Sequence, residues 1–358
     1  MKISVNSTFS YIKFNLNYGS ALQCYALQKY LHSRGHEATL LRDYRANPKY
    51  ILKRLVNVKH PRAFFAKAKA QVQLQGFIRR NIVLSDRAYF SYSSLKKHCP
   101  DAQCHIAGSD QIWHNANNFR YLTYVPDDQL KLSYAASFGK AAISDGMKET
   151  IKPYLSRLNG ITVRERSGVD IVSSMGFSAQ QVLDPTLLLD WEQYPAKEND
   201  RHGYCYCYFL NLPEKKNVCF DQIKEFTKQS GRELIVTAPL NYPLFLDEPN
   251  LKFPSVEEWL GLYKNADCIF TNTYHGLLFC IIFKKQFLFF VQQGKSVAEN
   301  ERFYSLLSML QLSDRIVSEA DQSKMAEKMN TAIDYEKVYA VIKEKRQETD
   351  AFFTGFGL

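Results

Sequence analysis

His275 is the residue whose type and setting best suit proton chemistry, because an imidazole titrates near neutral pH. It lies in the stretch ADCIFTNTYHGLLFCIIFKKQFLFF, which runs from Ala266 to Phe290. Asp267 to Phe270 has the length of a buried strand. Thr271, Asn272 and Thr273 are turn and N-cap types. His275-Gly276 then opens an apolar segment, Leu277 to Phe283, that Lys284-Lys285 close. Gln286 to Val291 is a second strand-length run. The pattern predicts strand, polar turn, helix, strand, with His275 at the strand tip and on the N-terminal end of the helix. Ligands of open α/β sheets bind at such places, and free helix N–H groups there favour an anion. A histidine in an ordinary turn is more often a satisfied core residue. The polar TNTYHG setting between two buried strands favours the site.

Other elements repeat the pattern. Lys2 to Tyr11 is a weak strand-like run, Ala21 to Leu31 has helical spacing after Asn17-Tyr18-Gly19-Ser20, and Ala38 to Leu41 is the next strand. Gln103 to Ala107 runs into Gly108-Ser109-Asp110-Gln111-Ile112-Trp113, and Lys131 to Ala136 into Ser137-Phe138-Gly139. Gly160 to Val163 runs into Arg164-Glu165, and Gln180 to Leu183 into Asp184-Pro185-Thr186. Strand after strand ending in a polar or Gly-rich turn predicts a doubly wound sheet with its site along one edge. A polar stretch from Asp190 to Gly203 marks a boundary. Beyond it, Tyr204 to Leu210 and Glu233 to Thr237 read as strands and Glu214 to Gln229 as a helix. Ser255 to Asn265 is a helix opened by the capping box Ser255/Glu258. Glu301 to Leu310 and Glu319 to Lys345 close the chain as helices. The expected class is α/β, with domains at 1–190 (carrying a basic insertion at about 45–85) and 203–315, and a helical segment at 316–358.

Composition narrows the class. The chain has 358 residues, 46% hydrophobic and 23% charged, which is ordinary for a globular protein and long enough for two domains. Met1 to Ser20 has no apolar core of signal-peptide length, and no uninterrupted apolar run reaches membrane-spanning length. The expectation is a cytoplasmic protein, soluble or peripheral at the inner face of the membrane. Eight cysteines are scattered without a CxxC pair, so they read as reduced and structural, and no metal site is expected. The net charge of +10 is local: Tyr44 to Ser85 holds no acid and ten basic residues, without which 36 cations face 36 anions.

Six motifs stand in order: Asn17-Tyr18-Gly19-Ser20-Ala21-Leu22-Gln23, Gly108 to Trp113, Tyr134-Ala135-Ala136-Ser137-Phe138-Gly139, Val163-Arg164-Glu165, Leu183-Asp184-Pro185-Thr186 and Thr273-Tyr274-His275-Gly276. Together they look like the polysaccharide pyruvyltransferase family, over about Asn17 to Arg315. The resemblance implies a GT-B-like architecture, two Rossmann-like domains facing across a cleft. It also implies transfer of pyruvate from phosphoenolpyruvate to two hydroxyls of a sugar, giving a pyruvate ketal and phosphate. The acceptors it implies are capsule, exopolysaccharide or cell-wall glycan precursors, often lipid-linked oligosaccharides. Many members carry Arg just before the His at the helix start, where this chain has Tyr274. Arg302 is the candidate for the missing anion contact.

That chemistry must protonate C3 of phosphoenolpyruvate, deprotonate two sugar hydroxyls, release phosphate and hold two anionic groups by cations. It requires no metal or redox cofactor. His275 is the natural proton-transfer group. Arg164 suits a two-point grip on carboxylate or phosphate, against the alternative of an ion pair with Glu165 or across the domains. Asp110 suits the base for an acceptor hydroxyl, with Ser109 or Asp110 itself equally suited to an N-cap. Asn17, Tyr18, Gly19 and Ser20 suit a tight turn that brings backbone N–H groups to a ligand, and Ser137 with Gly139 read the same way. Thr273, Tyr274 and Gly276 flank the histidine. Asp184-Pro185 reads as turn punctuation.

Two other functions compete: a GT-B glycosyltransferase using a nucleotide sugar, and a non-catalytic binder of an anionic polymer. No nucleic-acid motif accompanies the basic segment, so nucleic acid is not an expected partner. Residues 45–80, cationic and mixed with apolar side chains, suit contact with an anionic membrane, or a charged flap over the acceptor site. Oligomeric state is not legible.

Overall fold

The computed structural model describes residues 1–8, 16–43, 60–198 and 201–358. Seven strands form the first sheet among the described residues: β1 (Lys2–Asn6), β2 (Glu37–Asp43), β3 (Leu84–Tyr89), β4 (Cys104–Ala107), β5 (Leu130–Ala136), β6 (Gly160–Val163) and β7 (Gln180–Gln181). Five form the second: β8 (Tyr204–Tyr208), β9 (Glu233–Thr237), β10 (Cys268–Thr271), β11 (Gln286–Phe290) and β12 (Ile316–Val317). Every pairing is parallel. Parallel strands need helical crossovers that cover both sheet faces, so the strands read as continuous apolar runs. YCYCY and QFLFF are such runs, and their interior residues are buried.

The strand orders place the site. The first sheet runs β3-β2-β1-β4-β5-β6-β7, so the winding reverses between β1 and β4. The second runs β12-β11-β10-β8-β9 and reverses between β8 and β10. A crevice opens at the carboxyl ends of the strands where winding reverses. The four loops concerned start at Ser7, Gly108, Phe209 and Asn272, and the two crevices face each other.

The lobes meet through aromatic rings. Tyr18 of the first lobe stacks on Trp259 of the second at 5.2 Å, and its hydroxyl donates to the Pro254 carbonyl at 2.7 Å. Tyr194 meets Phe279 edge-on at 5.1 Å. The last helix, Tyr335–Gly355, begins on the second lobe, where the Tyr335 hydroxyl donates to the Lys285 carbonyl at 2.6 Å. It ends on the first lobe, where Asp350 accepts from Tyr30 and Arg34 and Phe353 packs on Tyr134.

Several elements differ from the sequence reading. β3 was not expected; its alternation is weak because it is an edge strand with two exposed residues. The predicted strand Gln180 to Leu183 pairs only over Gln180–Gln181. Glu319 to Lys345 is not one helix. It comprises a 3-10 segment Glu319–Lys324, a short helix Met325–Asn330 and the final helix, whose start Asp334 caps by accepting from Lys337 N at 3.2 Å. In the basic segment Pro61–Asn81 is helical, and 44–59 lies outside the described residues.

Candidate active site

The second lobe builds its half from TNTYHG. Asn272 ties the two crevice loops together, donating to the Leu210 carbonyl at 2.8 Å and accepting from Leu210 N at 2.9 Å. Thr273 caps the helix Tyr274–Ile282 by accepting from Gly276 N at 2.9 Å. Gly276 faces inward. A Cβ there would lie 2.3 Å from both Thr271 Oγ1 and Thr273 Oγ1, so only glycine lets the helix sit this close to its own cap. His275 is thereby carried on the first turn and faces the other lobe.

The first lobe meets it with another helix N-terminus. Asn17 caps Tyr18–Ser33 by accepting from Ser20 N at 3.2 Å. Gly19 lies against the imidazole: an added Cβ would be 2.1 Å from the ring's Cγ. Beside it, the loop after β4 holds Asp110 at φ 69°, a left-handed conformation unusual for a residue with a side chain. Two amides fix it there, Ile112 N and Ser137 N, both donating to the Asp110 carbonyl. The Asp110 carboxylate accepts from Thr8 Oγ1 at 2.9 Å.

Arg164 leaves the end of β6 and is wholly buried. Its Nη1 donates to Asp184 Oδ2 at 3.0 Å, its Nη2 lies 3.7 Å from Asp110 Oδ1, and its Nε lies 3.9 Å from Glu165 Oε2. The guanidinium carbon stacks over the Tyr274 ring at 4.1 Å. His275 Nε2 is 3.8 Å from Asp184 Oδ2 and has no hydrogen-bond partner among the described residues. Arg302 also lies over the Tyr274 ring, at 5.7 Å, and bonds Glu299 Oε2 at 2.9 Å. Gln111 of the first lobe donates to that same oxygen at 3.1 Å.

These side chains enclose a cavity of about 110 Å³. Asn17, Asp110 and Gln111 line it from the first lobe. Tyr208, Leu210, Asn211, Thr273, Tyr274, His275, Gln292, Glu299 and Arg302 line it from the second. Larger surface hollows exist, one of about 370 Å³ beside Lys252 and Phe253, but His275 lines none of those described.

Burial pushes the His275 pKa down; Asp184 and Asp110 oppose it, Arg164 and Arg302 add to it, and the net is lowered. Burial raises Asp110, but Arg164, His275, Arg302 and the Thr8 bond outweigh it, so its carboxyl is held below the usual range. Burial lowers Arg302 against the pull of Glu299. In Arg164 the burial penalty is outweighed by Tyr274, Asp184, Asp110 and Glu165, and the net is upward.

Of the residues singled out in the sequence, Asn17, Asp110, Thr273, Tyr274, His275 and Arg302 line one cavity. Gly19 backs the imidazole. Arg164 stands behind Tyr274 and off the cavity, where three carboxylates engage it. Tyr18 packs in the lobe interface, Ser20 Oγ donates to the Thr8 carbonyl, and Gly276 faces the helix cap. Ser109 Oγ donates to Asp184, and Ser137 Oγ and Gly139 N to Glu165 Oε1. These hydrogen bonds hold the acids rather than face the cavity. Asp184 caps the 3-10 turn Pro185–Leu188, as its turn reading implied, but it also reaches His275. Tyr208, Gln292 and Glu299 carry no signal in one sequence, and Gln111 stands out only as part of the Gly108–Trp113 motif. Among the described residues there is no cluster of three or more His, Cys, Asp or Glu placed to hold a metal, and no helix long and apolar enough to cross a membrane.

Two doubly wound parallel sheets that close on each other at their switch points define a GT-B-type α/β protein with its site between the lobes. Solved structures show the same fold. UDP-GlcNAc 2-epimerase from Methanocaldococcus jannaschii superposes with a TM-score of 0.59 at 11% identity, over 99% of this chain and 100% of that one. The S. aureus MnaA–UDP co-structure gives 0.52 at 10% identity, over 95% and 90%. UDP-GlcNAc 2-epimerase from Neisseria meningitidis gives 0.51 at 9%, over 99% and 100%. No curated protein matches the chain. The family model for polysaccharide pyruvyl transferase matches residues 17–293, and the chain belongs to that family.

Proposed function

We propose that the protein transfers pyruvate from phosphoenolpyruvate to two hydroxyls of a sugar and releases phosphate. The acceptor is a capsule, exopolysaccharide or cell-wall glycan precursor. One observation carries the reading: in a member of this family, His275, Asp110 and Arg302 border a single cavity where two helix N-termini meet.

Arg302 and the helix N-termini hold the donor's carboxylate and phosphate, so the anion displaces Glu299 from Arg302. His275 is mostly neutral before the donor arrives, and a trianion beside it draws a proton onto the ring. That proton passes to C3, the electron pair of the C=C bond forming the C–H bond and leaving C2 electron-poor. A sugar hydroxyl attacks C2 and gives its proton to Asp110. The C2–O bond to phosphate breaks with its electron pair on phosphate. The second hydroxyl then closes the ketal, and its proton leaves with phosphate or through His275. One proton is taken up and two are released, the difference appearing on phosphate. No metal or redox group enters this scheme. A cavity of about 110 Å³ is smaller than the ~300–1,000 Å³ of most ligand sites, so the lobes part to admit a glycan.

The helix Pro61–Asn81 adds a place of action. Arg62, Phe65, Lys69 and Val72 share one exposed face, Phe65 being 68% and Val72 71% exposed, and the helix holds no acid. That face supports peripheral contact with an anionic bilayer, where a lipid-linked acceptor would lie.

The test is incubation with phosphoenolpyruvate and a panel of glycans. Acceptor-dependent phosphate release, with a pyruvate ketal in the mass spectrum, is the expected result. Thermal stabilisation by a UDP-sugar and none by phosphoenolpyruvate would overturn the reading.

A further inference from the structure

We propose that Asp184 is the positioning residue for His275: a first-lobe carboxylate that docks the second-lobe imidazole and fixes its orientation. The proposal rests on His275 being the proton-transfer group.

A turn needs an N-cap, not a fully buried charge. Asn or Ser would cap Pro185–Leu188 as well without the desolvation penalty of a carboxylate. The chain instead places Asp184 at zero side-chain exposure and surrounds it with donors. Oδ1 accepts from Thr186 N at 3.0 Å and Thr186 Oγ1 at 2.8 Å. Oδ2 accepts from Arg164 Nη1 at 3.0 Å and Ser109 Oγ at 3.2 Å. Oδ1 serves the turn and Oδ2 serves the site, and the second-lobe group facing Oδ2 is His275 Nε2 at 3.8 Å.

That spacing is too long for a hydrogen bond and short enough for strong charge coupling in a buried setting. A small approach of the lobes turns it into an Nε2–H donation, which leaves Nδ1 as the second ring atom for proton exchange. The ring's other charged neighbours are Asp110, Arg164 and Arg302, with Tyr274 on its own helix and the N-terminus of Tyr18–Ser33 behind Gly19. Arg164 is already shared among three carboxylates and Arg302 is held by Glu299. Asp184 is therefore the fixed anion that keeps a buried imidazole within reach of protonation.

The test is the titration of His275 in the whole protein by NMR of ¹⁵N-labelled histidine, assigned with His275→Asn. Asp184→Asn keeps a capping oxygen and removes the charge. The expected result is a fall of about one pH unit or more in the His275 midpoint. Thr186→Val removes the hydroxyl bond to Oδ1 and keeps the backbone one, so it should lower the melting temperature while leaving the His275 midpoint in place. If Asp184→Asn does not fold, Ser109→Ala serves. It removes a donor from Oδ2, frees more of the charge for the imidazole and should raise the midpoint. A His275 midpoint unmoved in the folded variants overturns the proposal. The readout needs no substrate. Absence of pyruvyl transfer would sink the proposed reaction and leave this coupling standing, whereas an active enzyme with an unmoved midpoint would sink the coupling alone.

Discussion

Gly19 and His275 touch across the cleft, and the contact tolerates no side chain: a Cβ on Gly19 would overlap the imidazole's Cβ, Cγ and Nδ1 at 2.1 to 2.3 Å. The glycine belongs to the first turn of one helix and the histidine to the first turn of another, so their contact fixes the distance between two helix ends. Gly19→Ala should displace the ring by an ångström or more and lower turnover about a hundredfold, with the circular dichroism spectrum unchanged. Activity within a few-fold of the parent would show that the lobes adjust around the contact.

Arg302 and Glu299 make the second prediction. The Glu299 carboxylate holds the guanidinium that borders the cavity and is itself held by Gln111 from the other lobe. Arg302→Ala should abolish thermal stabilisation by phosphoenolpyruvate. Glu299→Gln should weaken this internal competitor and lower the phosphoenolpyruvate KM by about tenfold, the scale of one charge-assisted hydrogen bond. Donor titrations in a thermal-shift assay read both.

The third concerns acid. His275 has a folded-state pKa below its ordinary value of 6.5, so the unfolded chain binds the proton first as pH falls. Stability from this group is complete above 6.5 and is lost from there down to the depressed folded value. Asp110 is also depressed and loses its contribution at still lower pH, as pH falls through its folded value. Melting temperature should drop on acidification below about pH 6.5, and His275→Gln should flatten the first part of the drop. An identical pH profile in that variant would mean that the imidazole titrates alike in both states.

Gly276 gives a purely structural prediction. Gly276→Ala forces a methyl onto Thr271 Oγ1 and Thr273 Oγ1, so the cap or the helix must move. The expected cost is about 1–3 kcal/mol of stability, read by urea unfolding. A double variant with Thr271→Ala should recover part of it.

Vesicle binding tests the exposed face of Pro61–Asn81. Sedimentation with anionic vesicles should fall when Arg62 and Lys69 become Gln, and also when Phe65 and Val72 become Ser. Binding to neutral vesicles of equal strength would exclude the charge-led contact.

Much of this was legible in the residues, for identifiable reasons. β10 and the helix after it were readable because an apolar run, a Thr cap and a Gly share a short window, and local signals need no knowledge of distant contacts. Asp184 was harder. Its proline made it look like punctuation, and only the fold brings Arg164, Ser109 and His275 onto one oxygen. Arg164 was legible as important but not as buried, since a single sequence does not say that three acids will gather round it. β3 was missed because an exposed edge strand buries too little to show alternation.

The last helix has a consequence for how the molecule opens. Tyr335 anchors one end to the carbonyls of the second lobe and Asp350 the other to Tyr30 and Arg34 of the first. The halves are therefore linked twice by the chain, once near Asp190–Gly203 and once along this rod. A body tethered at two points swings about the line through them and resists sliding or twisting. Each swing should carry His275 towards and away from Asp184 along a single arc, so that closing the jaws and assembling the reactive groups are one motion.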